Sequence, residues 1–361
     1  MHQPYKNSMK AIFFYLLFFL PFHSFSQQTL DAIFKKRKVT GVQILVIKDN
    51  KPGTYYYGKP KADEAGKVDG ATVFQAASLS KAILAYIVLK MADRNQISLD
   101  EPLYHYFAYD RIKSDTAAQK ITARMVLHHE TGFPNWATNP TSKQWFTSAL
   151  KTKFIPGSGW SYSGEGFMFL QYAVESILKQ SLEKIATREV FVPLNMPSSS
   201  FLWRASFTNT GAYGHDKNGE VTGRNEPFLP AAAYSLLTTA ADYNNFLQAL
   251  VTGNGLSAVS HKLLFTDTVG VKKDNATVSE PASHISWGLG VGIQRNELGT
   301  AAWHWGDNGD FKCFFMAFPG QNNSIVYFTN SKNGLDALPD VLTYYFGKNT
   351  WWALQWLDKD I

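Results

Sequence analysis

Ser78 and Lys81 stand one helical turn apart in FQAASLSKAILAYIVLKMAD, an apolar run in which only Lys81 and Lys90 carry charge between Phe74 and Ala92. At about 100° per residue the two share a helix face, while Lys90 points half a turn away. The spacing predicts a Lys81 buried beside Ser78. A lysine so placed loses solvation, its neutral form becomes accessible, and it can take part in removing a proton from a neighbouring hydroxyl. An ordinary serine becomes a nucleophile in this way. The bare S-x-x-K pattern recurs at Ser148 to Lys151, Ser176 to Lys179 and Ser181 to Lys184, but those lie in mixed polar sequence that reads as solvated helix surface. Only Ser78 follows small residues, Ala76 and Ala77, and opens a long apolar helix whose N-terminal amides could face a substrate.

The elements that must position this pair fall in a simple order. Two early β-rich runs, GVQILVIKD and GTYYYGK, flank the turn-like Asn50-Lys51-Pro52 and read as a hairpin. Helix patterns follow in TARMVLHHETG, FMFLQYAVESILK and TTAADYNNFLQALVTG, the last with Thr239 as N-cap. Strand character returns in ISWGLGVGIQR, TAAWHW, FKCFFMAFPG and SIVYFTN, and LDALPDVLTYYF is a closing helix. The expected fold class is α+β: an antiparallel sheet from residues 27–89 and 251–348, with a helical domain inserted over 90–250. A groove between two such domains is a usual place for a ligand, and Ser78 at the junction would face it.

Several function classes drop out. Residues 1–26 read as a cleavable signal, with Lys6 and Lys10 before AIFFYLLFFLPF and a small-x-small site at Ser24-Phe25-Ser26. The expected location is therefore periplasmic or secreted. The formal charge of +6 includes the two signal lysines, and the remaining +4 is too diffuse for nucleic acid. Cys313, the only cysteine, sits among Phe311, Phe314, Phe315 and Met316 and reads as a small buried hydrophobe. Gly288, Gly290 and Gly292 lie in a strand pattern with no following helix, so they read as close packing rather than a dinucleotide loop. His128 and His129 lack the companions of a metal motif, and no G-x-S-x-G occurs. No metal or organic cofactor is expected.

Two more candidates join the pair: Tyr162 in PGSGWSYSGEGF and His304 in WHWGDNGDF. Taken in order with FQAASLSK, LHHETGFP, LLTTAADYNNFLQAL and the HWG strand end, they resemble the β-lactamase-related serine hydrolases, the family of class C β-lactamases, DD-peptidases and related esterases. The resemblance runs from about Val42 to Phe346. It implies that Ser78 attacks a carbonyl carbon to form an acyl-enzyme, with Lys81 and Tyr162 sharing the proton relay. It maps the oxyanion hole to the backbone amides of Ser78 and Asp307. His304 takes the position that is lysine or histidine in the family and would supply positive or dipolar character near Tyr162. Ser163, Gly164, Trp305 and Gly306, inside the same motifs, are expected at the substrate.

The departures bear on substrate choice. The family's Y-x-N becomes Tyr162-Ser163-Gly164, and its K-T-G or H-T-G becomes His304-Trp305-Gly306. Each change removes a donor that β-lactams and D-Ala-D-Ala ends exploit, worth roughly 1–3 kcal/mol of discrimination. The expected substrate is thus a small ester, amide or peptide-like molecule, with a DD-peptidase or β-lactamase, and a binding or sensor protein, as rivals. Glu165 reads either as a replacement for a lost contact or as a solvated side chain. All ten tryptophans lie at or beyond Trp136, and Trp160, Trp303 and Trp305 sit near motif positions, where they suit either an apolar acyl or aryl group or plain core packing. The tail, residues 349–361, puts Trp351, Trp352 and Trp356 on an amphipathic segment that either docks on its own domain or forms a membrane or partner patch.

Overall fold

A computed structural model describes residues 23–271 and 278–360, with side chains from residue 29 to 358 in those ranges. The signal segment lies outside the described residues except for His23–Ser26, which belong to the backbone of helix α1 (His23–Lys36). Strands β1 (Gly41–Lys48) and β2 (Lys51–Gly58) form the amino-terminal hairpin, and β3 (Val269–Gly270), β4 (Ile285–Trp287), β5 (Gly292–Asn296), β6 (Gly299–Asp307), β7 (Lys312–Phe318) and β8 (Asn323–Thr329) follow late in the chain. They make one antiparallel sheet in the order β2-β1-β8-β7-β6-β5-β4-β3. The hairpin turn sits one residue earlier than the sequence suggests. Asp49 and Asn50, with φ of 50° and 62°, close it, and Lys51 already pairs with Lys48. Two consecutive positive φ values match the twist of the flanking strands, and Asp and Asn tolerate that region.

Alternation sorts each strand between two cores. Val42, Ile44 and Val46 of β1 join Trp303 and Trp305 of β6 on one face, while Leu45, Ala302, Phe315 and Phe328 face the other. The first face is covered by α1 and by two carboxy-terminal helices. The second is covered by α2 (Ser80–Asp93), α3 (Ala123–Leu127), α4 (Gly164–Leu178) and α5 (Ala240–Thr252). Helix α2 is buried almost all round, from Ser80 to Met91, as its near-continuous apolar sequence requires. Thr239 caps α5 by accepting from the Asp242 amide at 3.2 Å, and Gly253, at φ 76°, ends it. Thr239→Ala is expected to lower stability by about 1 kcal/mol, read as a shift of the urea midpoint with unchanged slope.

The tail docks on its own sheet. Behind α6 (Leu338–Phe346), α7 (Trp352–Asp360) turns Trp356 onto Trp160, Trp303 and Trp305, with ring centroids 5.4, 5.8 and 6.0 Å away. Trp351 and Trp356 are buried, and Trp352 stacks on His284 at 4.0 Å. The Ala353 amide is anchored to the buried Gln294 side chain at 2.9 Å. Two of the three tail tryptophans, Trp351 and Trp356, are thus taken up by core packing, and Trp352 is half-buried.

Candidate active site

Ser78 lies in a 3-10 turn, Ala77–Leu79, immediately before α2, so the three-residue spacing to Lys81 still places both on one face. Ala77 holds φ 45°, a region costly for a residue with a Cβ, and a set of contacts enforces it. The Ser80 hydroxyl donates to the Ala77 carbonyl at 2.6 Å, the Leu79 amide donates to Ala76 at 2.9 Å, and the Cys313 thiol donates to the same Ala76 carbonyl at 2.9 Å. Strand β6 presses on this turn: a Cβ on Gly306 would fall 2.3 Å from Cys313 Sγ and 2.8 Å from the Ala76 oxygen. Gly306, expected at the substrate, is instead the close approach that seats the serine turn on the sheet. Cys313 does more than fill space there.

Lys81 is buried, with Nζ 3.0 Å from Ser78 Oγ and 2.7 Å from the Ala233 carbonyl. Its walls are aromatic, the ammonium lying 4.9 Å from the Tyr162 ring centroid and 5.6 Å from that of Phe167. Burial alone pushes its pKa down to about 7. The Tyr162 hydroxyl is also buried and forms no hydrogen bond of good geometry. Burial drives its pKa far up, and the nearby Ser78 hydroxyl offsets this only in part. Near neutral pH the pocket therefore holds a protonated phenol beside an amine at its titration point.

His304 donates from Nδ1 to the Trp305 carbonyl at 2.6 Å, which leaves Nε2 as an acceptor without a partner. Burial, then repulsion from Lys81, pushes its pKa down to about 3. It is thus a neutral dipole behind Tyr162, and the positive option is corrected. His129, at φ 60°, packs its ring 4.3 Å from that of Tyr162 and accepts the Ser163 amide at Nδ1. His128 bonds the Asp267 carbonyl at 2.8 Å. Among the described residues no group of three His, Cys, Asp or Glu is placed to hold a metal.

Three further expectations change. Ser163 is fully buried and serves as the N-cap of α4, accepting from the Gly166 amide and donating to the Pro134 carbonyl. Gly164 lies under the Trp136 indole, where a Cβ would fall 2.5 Å from Cζ2. Trp305 is buried against Tyr162 at 4.6 Å, and with Trp160 and Trp303 it forms the wall behind the site rather than a surface for substrate. The tryptophans there are core packing, and the rings that wall Lys81 itself are Tyr162 and Phe167.

What does line the opening is a cleft of about 550 Å³ carrying Ser78, Lys81, Asn135, Trp136, Tyr234 and Asp307. The Asp307 carboxylate is turned to Lys312 at 2.5 Å and to the Gly309 amide, so only the backbone of this residue is available to an oxyanion. Asn135 and Trp136 were not singled out from sequence, although Asn135 directly follows LHHETGFP. Asn135 Oδ1 accepts the Gly164 amide at 2.9 Å, and Trp136 stands where the family asparagine would project. Both are held from below by Glu165, which is fully buried rather than solvated. Its carboxylate takes a two-pronged contact from Arg111 at 2.7 and 3.1 Å, the Trp145 indole at 2.9 Å and the Ala137 amide at 3.0 Å.

Gly164→Asn, which restores the family residue, is expected to cost about 1–3 kcal/mol because it must push the Trp136 ring off its seat and into the cleft. Thermal melting checks this, and a Trp136→Ala partner substitution should recover most of the loss.

Protein flp of Staphylococcus aureus (strain MRSA252) is 24% identical over 328 residues, which span 84% of this chain and 63% of that protein. The chain thus covers under two thirds of the length of the curated relatives it matches first. The D-alanine carboxypeptidase AmpC from Burkholderia cenocepacia aligns with TM-score 0.71 and 18% identity over 86% of this chain and 95% of its own. A D-stereospecific amidohydrolase from Streptomyces sp. aligns with TM-score 0.74 and 19% identity over 91% of this chain and all of its own. At such identities these structures establish the fold alone. The family model described as Beta-lactamase matches residues 27–345, most of the chain, so the chain belongs to the beta-lactamase family.

Proposed function

We propose that this chain is a serine hydrolase that cleaves an ester or amide through a Ser78 acyl-enzyme. The observation that carries the reading is Lys81 Nζ at 3.0 Å from Ser78 Oγ in an aromatic pocket with its pKa near 7. In the neutral state Lys81 accepts the Ser78 proton as Oγ attacks the carbonyl carbon. The amides of Ser78 and Asp307 stabilise the oxyanion. As the tetrahedral intermediate collapses, the proton passes to the leaving oxygen or nitrogen, with the Tyr162 hydroxyl as conduit, and water then cleaves the acyl-enzyme. Tyr162 stays protonated at rest, so the base is Lys81.

Charge disfavours a substrate with a free carboxylate. The cations lining the cleft are Lys81, consumed in the relay, and Arg224, which is bound to Glu226 at 2.6 Å. The asparagine and threonine donors of the family motifs are absent, and Trp136 fills the first position. The leader-like pattern of residues 1–26, with Lys6 and Lys10 before an apolar run, supports action outside the cytoplasm, testable by fractionating cells that express a fusion of this chain.

The test is to incubate the protein with a fluorophosphonate probe, a fluorescent penicillin and short-chain nitrophenyl esters, alongside Ser78→Ala. Ester turnover without penicillin labelling is expected. Penicillin labelling would move the reading to a peptidoglycan enzyme, and no Ser78-dependent signal would favour a binding protein.

A further inference from the structure

A second concavity, of about 670 Å³, opens off the catalytic cleft. One wall is helix α4, with Met168 and Tyr172, a second is the segment carrying Trp145 and Phe146, and the third is the loop 225–231 with Phe228 and Leu229. Pro140, Thr141, Asn225 and Tyr234 line both spaces, so the groove continues from the chamber that holds Ser78. Phe146, Phe228 and Leu229 are 49%, 86% and 51% exposed, so three of the exposed large hydrophobics among the described residues gather on this one feature. Clustered exposed apolar side chains mark binding surfaces.

The loop does not collapse onto these side chains because polar contacts fix it from behind. Gln171, itself buried, donates to the Pro230 carbonyl at 2.9 Å and accepts the Ala232 amide at 2.7 Å. The Trp203 amide holds the Pro227 carbonyl at 2.7 Å. At the floor, the Glu175 carboxylate is occupied by the Leu182 amide at 2.6 Å and by Gln171, and burial pushes its pKa up. Of the other charged lining residues, Glu226 pairs with Arg224 at 2.6 Å and Lys179 is exposed to solvent, so the groove offers an apolar wall with no unpaired anion.

We propose that this groove is the subsite for an extended, neutral apolar arm of the substrate, either an acyl chain or an alkyl or aryl group on the leaving side. The inference rests on the hydrolase reading above and narrows its substrate class to esters or amides with such an arm. The occupant is the substrate itself, because the groove is continuous with the chamber where Ser78 acts.

The experiment compares two ester series, nitrophenyl alkanoates from acetate to decanoate and alkyl acetates of rising chain length, on the native protein, Thr141→Trp and Phe228→Ser. Thr141 and Phe228 are exposed, so both variants should keep the fold, checked by circular dichroism. In at least one series kcat/KM should rise roughly twofold to fourfold per methylene. That chain-length gain should collapse in Thr141→Trp, which plugs the junction, and shrink in Phe228→Ser. A flat profile in both series, with Ser78-dependent turnover of the acetate intact, would overturn the subsite and leave the hydrolase reading standing. A second measurement is independent of turnover: calorimetric binding of alkyl methyl ketones of rising length to Ser78→Ala. Affinity that climbs with length there, and fails to climb when Thr141→Trp is added, supports the groove even if no ester is turned over. Equal affinity for short and long ketones overturns it.

Discussion

Lys81→Met will acylate Ser78 roughly a hundredfold to ten-thousandfold more slowly than the native protein while resisting heat at least as well. The two effects have one cause. Burial lowers the Lys81 pKa from 10.5 to about 7, so between those values the unfolded chain binds more protons than the folded one. Stability then rises with pH across that window and is lowest below about 7, where the buried amine must carry its charge. Methionine has similar length and no charge, so the penalty and its pH dependence both disappear. The lost bond to the Ala233 carbonyl offsets part of the gain, by about 1–3 kcal/mol. Activity follows the opposite protonation state. In the native protein, acylation should rise as pH passes through about 7, because only the neutral amine accepts a proton. Stopped-flow acylation and melting curves at pH 6 and 9 check both limbs; a variant that acylates at the native rate would remove Lys81 from the relay.

Glu165→Gln carries the largest expected cost to the fold. Arg111 and Glu165 are both buried, their side chains only 2% and 0% exposed, and the carboxylate also accepts from Ala137 and Trp145. Removing one charge leaves the other stranded in a medium that cannot solvate it, which costs about 3–5 kcal/mol. The melting temperature should fall by about 5 °C for a chain of this size. Glutamine keeps one acceptor oxygen for the Ala137 amide and the Trp145 indole but turns an NH2 donor toward the Arg111 guanidinium, so the network shifts and the neighbouring Asn135 and Trp136 lose support at the cleft. KM should therefore rise more than kcat falls, since the Ser78–Lys81 pair itself is untouched. A Glu165→Gln protein with native melting temperature and native KM would contradict this account of the network.

What the sequence revealed and what it hid divide by sequence separation. Ser78 and Lys81 are three residues apart, so helix geometry places them without any tertiary knowledge. Thr239 is equally local, its side chain reaching an amide three residues on. The hairpin was visible, but its turn slipped by one, because Asp49 and Asn50 adopt positive φ in preference to the Pro52 that catches the eye. The Arg111–Glu165 pair spans 54 residues and has no periodic signature. Gly164 looked like a lost substrate contact because Trp136, which takes the space, is distant in sequence. The tryptophans left two readings open for a related reason. Large aromatic residues near motifs suit a substrate group or a core equally well, and only the fold shows Trp160, Trp303 and Trp305 gathered on Trp356 of the distant tail.

The central claim is that Ser78 is a nucleophile switched on by a neutral Lys81. The most direct measurement is the rate of fluorophosphonate attachment as a function of pH, with the adduct located by peptide mass spectrometry. A single adduct on Ser78, forming faster as pH rises through about 7 and lost in Lys81→Met, is the predicted result. An adduct on another residue, or a Ser78 rate that ignores both pH and Lys81→Met, would contradict it.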